Sequence, residues 1–303
     1  MKHFIVKILI FSIVFFAFDK LFILLRNRAP ELEVDKRMEV LLQGKMDADL
    51  LIFGSSVGAR GIIASTLSKE LNIKAYNLSY PGSNIDFHEY LLTQLLENGN
   101  RKPKTILLTL DEPSELILNS SINFRLERLY PLIKYPKVRE ELLVREEKSK
   151  LLSDLFVLYQ FNKSHLDLRK KNFTAHDSIM NCGSMPSYTT TTNFPAKYEQ
   201  LPSHYNKENE SKYLLNKFNS FVDLCCKNQI TLVLVFPPKF KLRNLAFEER
   251  IKNLTESKAL YFSYDDQNPA YRNKLFYEDA SHLRTNGALL FSLDVANFLR
   301  AKH

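Results

Sequence analysis

Leu50-Leu51-Ile52-Phe53-Gly54-Ser55-Ser56-Val57-Gly58-Ala59-Arg60-Gly61 is the stretch from which the fold can be read. Large apolar residues in an unbroken run, stopped by Gly-Ser-Ser, read as a strand buried on both faces, the habit of a parallel sheet. Helical spacing follows, so the stretch predicts a strand, a tight turn and a helix. In open α/β sheets the ligand crevice lies beyond the carboxyl ends of the strands, which is where Ser55 and Ser56 fall. A serine on such a turn has an exposed hydroxyl and suits a nucleophile. The same turn is also an ordinary helix entrance capped by a serine, so the motif alone does not choose between the two.

Outward from this point, residues 74–78 read as a second strand, followed by the turn-rich Ser79-Tyr80-Pro81-Gly82-Ser83-Asn84. Phe87, Tyr90, Leu91 and Leu95 line one face of a helix that ends near Asn98-Gly99-Asn100. Residues 105–110 read as a third buried strand, closing at Asp111-Glu112-Pro113. The order strand, helix, strand, helix, strand predicts a parallel sheet with crossovers. The pattern loosens over 119–211, where 125–150 is charged and helical and 181–203 is rich in Ser, Thr, Pro and Tyr. An insertion of this length serves as a lid or substrate cap, or as a surface and partner-binding elaboration, and composition does not separate these. The α/β rhythm then resumes with a helix over 212–227 and a strand over 230–236 stopped by Pro237-Pro238. A helix over 245–257, a short strand over 260–264 and a last helix over 287–299 complete it.

Residues 4–25 are mostly Ile, Leu, Val and Phe, preceded by Lys2 and followed by Arg26 and Arg28. The stretch reaches the roughly 20 residues of a span by including Lys7, Asp19 and Lys20, whose lysines snorkel toward the headgroups. Its charge-free centre, 8–18, has the length of a signal-peptide core, but Phe16-Ala17-Phe18-Asp19 is no small-x-small cleavage site. An uncleaved signal anchor over 1–27 is expected, with the body of the protein outside the cytoplasm. Basic residues flank both sides, so that orientation follows the convention for signal anchors rather than charge asymmetry. Ala29-Pro30 is expected to break the anchor, with 28–48 a linker carrying a short charged helix over 32–42.

At the other end of the chain, Asp279-Ala280-Ser281-His282 precedes the last helix. An imidazole that activates a serine needs one nitrogen toward the hydroxyl and the other held by an acceptor, usually a carboxylate. Within one turn, Asp279 can reach the Nδ1 side of His282 while Nε2 faces Ser56.

Gly54-Ser55-Ser56 after the first strand, Asn77-Leu78-Ser79-Tyr80-Pro81-Gly82 after the second, and Asp279-x-x-His282 before the last helix together resemble the SGNH/GDSL hydrolase superfamily. The resemblance runs from about residue 49 to 299 apart from the insertion, and makes 49–303 one domain. It implies a flavodoxin-like three-layer sandwich around a central parallel sheet. It also implies Ser56 as nucleophile, His282 as base, Asp279 as its partner, and the N–H groups of Ser56 and Gly82 as oxyanion hole, with no cofactor and no metal. With the anchor, the chain looks most like the membrane-tethered, extracytoplasmic branch related to alginate O-acetylation and D-alanyl transfer proteins. Gly54-x-Ser56-x-Gly58 also fits the nucleophile elbow of α/β-hydrolases, but that fold sets its elbow after several strands and draws acid and histidine from separate loops. One family block departs. Where the superfamily has Gly-x-Asn-Asp, whose asparagine donates to the oxyanion, this chain has Thr109-Leu110-Asp111-Glu112. An anionic Asp111 would repel a developing oxyanion, and Asn84, Ser83 and Arg60 are the other candidate donors. The membrane-tethered branch often lacks this asparagine.

The implied function is acyl-ester chemistry, as an esterase or an O-acyltransferase, on a cell-envelope glycan or lipid-linked substrate, alongside a membrane acyltransferase partner. The alternative is a catalytically weak or inactive binding module of an envelope polysaccharide system. Lys plus Arg is 42 against 34 for Asp plus Glu, a formal charge of +8. The excess is spread along the chain without a dense basic block, which suits an anionic envelope surface and not a nucleic-acid partner. Cys182, Cys225 and Cys226 have neither metal-ligand spacing nor a disulfide framework, and the adjacent pair is expected to pack inside a helix.

Overall fold

The computed structural model describes residues 1–161, 178–189, 197–199 and 204–302. The helices are α1 (Lys2–Leu32), α2 (Arg37–Leu42), α3 (Ser56–Gly61), α4 (Ala64–Leu71), α5 (Ile85–Glu97), α6 (Pro136–Arg145), α7 (Lys150–Leu155), α8 (Val157–Phe161), α9 (Lys212–Lys227), α10 (Leu245–Thr255) and α11 (Thr285–Lys302). The strands are β1 (Leu50–Phe53), β2 (Ala75–Asn77), β3 (Thr105–Thr109), β4 (Thr231–Phe236) and β5 (Leu260–Ser263). The chain divides into two compact units. One holds 1–39 and 125–172, the other 40–124 and 173–303.

The larger unit is an α/β sandwich. Its five strands are all parallel, in the order β2-β1-β3-β4-β5. Side chains alternate across each strand, so an unbroken apolar run feeds two cores at once. Leu50 and Ile52 of β1, Leu107 of β3, and Val233 and Val235 of β4 face a core completed by Ile62, Leu67, Phe291 and Val295 from α4, α11 and the turn before α4. The other face meets α5, α9 and α10, with Phe53 edge-on to Phe221 and Phe236 edge-on to Phe247. Helices therefore cover both faces. The order places the topological switch between β1 and β3, whose carboxyl ends carry Ser55-Ser56 and Asp111.

The expected strands and helices of this unit stand within a few residues of where the pattern puts them. Cys225 and Cys226 differ from expectation. Only Cys225 is buried and Cys226 is exposed, because neighbours on a helix point about 100° apart. Burial pushes the Cys225 thiol up to about 12, so it packs as a small apolar group.

The smaller unit contains α1, which is long and apolar enough to cross a membrane, with a mean hydropathy of 2.5 over its best window. Pro30 does not break it as expected. The helix runs on to Leu32, giving up the one ladder bond that the Pro30 nitrogen cannot donate. The Pro30 carbonyl then accepts from the Glu33 N–H at 3.3 Å and from Lys36 Nζ. The linker helix is also shorter than expected, starting at Arg37, where Asp35 takes both the Arg37 backbone N–H and its guanidinium. Residues 125–150 are not one helix. Two 3-10 turns at Leu126–Arg128 and Tyr130–Leu132 precede α6, since Pro131 and Pro136 interrupt the run. Part of the expected insertion, 162–177, 190–196 and 200–203, lies outside the described residues.

Candidate active site

Each of the residues singled out at the two ends of the chain is set by backbone hydrogen bonds before any chemistry is considered. Ser55 is the N-cap of α3. Its Oγ accepts from the Val57 N–H at 3.4 Å and donates to Asp111 Oδ2 at 2.7 Å. Ser56 is the first residue of α3, so its own N–H has no acceptor within the helix. Gly54 has φ +150°, and a Cβ there would sit 1.8 Å from Thr109 Oγ1, so only glycine lets the chain leave β1 this close to β3.

The turn after β2 is tied to the same point. The Tyr80 N–H donates to Gly54 O at 2.9 Å, and Ser83 Oγ lies 3.2 Å from Gly54 O and 2.6 Å from Tyr80 O. Gly82 has φ +72°, its carbonyl accepts from Asn123 N–H at 3.0 Å, and its N–H makes no hydrogen bond among the described residues. Asn77, fully buried, donates to Gly58 O and Ile62 O and accepts the Ser79 N–H. It clamps the middle and the C-terminal end of α3 to the end of β2.

The loop from Tyr277 to Leu283 closes on itself through an antiparallel bridge between those residues and a Glu278 N–H to His282 O bond of 2.9 Å. Inside it, Asp279 Oδ1 accepts the N–H groups of Ser281 and His282 at 2.8 and 2.9 Å. The same carboxylate faces His282 Nδ1 at 3.0 and 2.8 Å, and His282 Nε2 lies 2.7 Å from Ser56 Oγ. With Nδ1 against a carboxylate, the proton belongs on Nδ1, which leaves the Nε2 lone pair to accept from the serine hydroxyl. Burial raises the Asp279 carboxyl, but the imidazole and the two backbone donors outweigh it and hold the group down at about 2. It is a carboxylate throughout the working range. Arg60, in the last turn of α3, pairs with Glu278 at 2.8 Å, both side chains only 16% exposed, which ties the end of the serine helix to the histidine loop.

The structure therefore brings Ser56, His282 and Asp279 into one relay. Asp111 does not stand alone at the end of β3. Lys239, beyond β4, lies 3.0 Å from Asp111 Oδ1 and donates to Glu112 O at 2.8 Å, so the charge is balanced and its second oxygen is taken by Ser55. Of the other candidate donors, Asn84 caps α5 by accepting the Phe87 N–H, Ser83 is engaged by the turn and His88, and Arg60 by Glu278. Lys239 and His88 escaped the sequence reading. The first needs the adjacency of β3 and β4, and the second is an isolated polar residue whose burial only the packing reveals. Among the described residues, no group of three or more His, Cys, Asp or Glu gathers as a metal site.

No family model matches the chain. No curated protein matches it either. Among solved structures, a crystal structure from Bacteroides fragilis named "putative acylhydrolase" is similar at 8% identity and a TM-score of 0.42, over 89% of this chain and 97% of that one. At that similarity the likeness carries no argument about chemistry.

Proposed function

We propose that the protein carries out acyl transfer from an ester through Ser56, as an esterase or an O-acyltransferase of the SGNH type. The reading rests on one observation, the hydrogen-bonded relay from Ser56 Oγ through His282 to Asp279. His282 Nε2 takes the serine proton as Oγ attacks the ester carbonyl, and Asp279 holds the imidazolium that forms. The unbonded N–H groups of Ser56 and Gly82 receive the oxyanion, and His282 returns the proton to the leaving alcohol as the tetrahedral intermediate collapses to an acyl-serine. Water as second acceptor completes an esterase cycle, and a sugar hydroxyl completes a transferase cycle. The long apolar helix favours a substrate at a membrane surface on the extracytoplasmic side, a cell-envelope glycan or a lipid-linked precursor, and the basic balance suits an anionic one.

The test is intact-mass spectrometry of the detergent-solubilised chain after exposure to a fluorophosphonate, beside Ser56→Ala and His282→Ala. One adduct per chain, absent from both variants, is the expected result. An unlabelled wild type, or an adduct that survives Ser56→Ala, overturns the proposal.

A further inference from the structure

The smaller unit contains a polar arrangement that an aqueous setting would not need. Asp19 lies in the apolar helix α1 and is fully buried. Its two carboxylate oxygens accept the N–H groups of Val157 and Leu158, both at 2.8 Å. Beside it, Lys20 Nζ pairs with Asp19 at 3.2 Å and donates to Leu155 O. These are the backbone groups that the break between α7 and α8 frees. Gln160 closes the same corner, its amide donating to Ser153 O at 2.8 Å. Phe156, at the break, packs its ring against Phe15 and Phe16 of α1 at 6.2 and 6.3 Å.

Depth along α1 gives this corner a location. A hydrocarbon core about 30 Å thick takes about 20 helical residues at a rise of about 1.5 Å each. A span beginning at Phe4 ends near Ile23, and Asp19 then lies about 6 Å inside the boundary, with Phe15 and Phe16 deeper still. Starting the span later puts Asp19 deeper. A helix break at that level survives only if its freed N–H and C=O groups find partners within the protein, and here Asp19 and Lys20 supply them. Leucines dominate the outward face of the break, with Lys150 and Asp154 its exposed charged residues. Leu151, Leu152 and Leu155, just before the Phe156 contact with α1, are 68%, 40% and 45% exposed. The surface of α1 is likewise apolar and exposed, with Phe11 70% and Phe18 54% exposed.

We infer that α7 and the start of α8 dip into the membrane beside α1, with Leu151, Leu152 and Leu155 seated in the outer part of the lipid acyl chains. The occupant of this apolar face is the bilayer. The segment acts as a second, shallow anchor, locked to the first through Asp19. The inference rests on α1 spanning a membrane and is independent of the chemistry proposed for Ser56.

The chain contains no tryptophan, so one introduced indole is a clean reporter. Leu155→Trp and, separately, Leu151→Trp are reconstituted as full chains into phosphatidylcholine and phosphatidylglycerol vesicles, with Leu118→Trp on the other unit as the exposed reference. Flotation with the vesicles first establishes that α1 is inserted. Both α7 reporters are then expected to emit to the blue of the reference and to be quenched about two-fold or more by lipids brominated near the headgroup end of the chain, less by lipids brominated near its end. Floating chains whose indoles at 151 and 155 are unquenched and open to aqueous acrylamide overturn the inference and leave the leucines to a protein partner. Two reporters one turn apart guard against a local effect of either. Chains that do not float overturn the spanning of α1 and the inference with it, while the fluorophosphonate reaction of Ser56 is unaffected.

Discussion

Asp279→Asn separates a relay that orients and charges the imidazole from a carboxylate that merely caps a loop. In the wild-type chain Asp279 Oδ1 holds the Ser281 and His282 N–H groups, and Oδ2 approaches Nδ1 at 2.8 Å. Asparagine keeps the first oxygen and both backbone bonds, so the loop is expected to retain its shape. It places an N–H₂ where Oδ2 stood. Nδ1 must then accept, the ring proton moves to Nε2, and a donor rather than a lone pair faces Ser56 Oγ. Where such a carboxylate is fully buried, the change costs about 10⁴ in kcat. The Asp279 side chain is 47% exposed, so water already screens part of its support for the imidazolium, and the expected loss is smaller. About 10³ in the rate of fluorophosphonate labelling or of p-nitrophenyl acetate hydrolysis is expected, about 4 kcal/mol of activation free energy, with KM little changed. Thermal unfolding at neutral pH should fall only by the stability that the ionised carboxylate lends, with the fold retained. A rate within about three-fold of wild type would show that the tautomer assignment carries no weight in the reaction, and the relay would fail as an explanation.

Three further outcomes are expected. Because the Asp279 carboxyl is held down at about 2, its ionised form is the one favoured by folding. Its contribution to stability is fully present above the ordinary value of 3.8 and is lost as pH falls toward 2. Paired denaturation curves of wild type and Asp279→Asn should therefore be separated by a constant gap above about pH 5 that closes below pH 3, and a gap that widens in acid would contradict the sign. Gly58→Ala sets a Cβ 2.2 Å from Thr109 Oγ1 and 2.7 Å from Ser79 Oγ, and is expected to destabilise by about 1–3 kcal/mol in urea, with Thr109→Ala in the same chain restoring part of it. Lys239→Met leaves Asp111 nearly buried without its cation. About 3–5 kcal/mol of stability should be lost, and Asp111→Asn added to it should recover most.

The fold was legible because β1, β3 and β4 are short apolar runs, β1 stopped by Gly54 and β4 by Pro237, and the helices between them carry periodic apolar faces. Ser56, Asp279 and His282 were legible for a different reason. Each sits beside a backbone device, a strand-to-helix turn or an Asx-type turn, that leaves its own mark in the sequence. The support around them leaves no such mark. Lys239 reaches Asp111 only because β4 lies next to β3, and strand order is a property of packing. Arg60 and Glu278 meet across a separation of 218 residues, and nothing local to either announces the other. The break at Phe156 was missed because the side chains that take its freed backbone groups, Asp19 and Lys20, lie on α1, where the sequence showed them only as charged residues within a span.

The tie between the first and last parts of the larger unit has a consequence for how the protein comes into being. Ser56 and His282 are 226 positions apart, and α11, which packs on α3 and α4, lies beyond both. A chain emerging from a ribosome or a translocon shows its serine early, on a helix whose neighbours have not yet been made. No base can reach that hydroxyl until the closing loop arrives. The chemistry proposed for Ser56 therefore has to wait for the completion of folding.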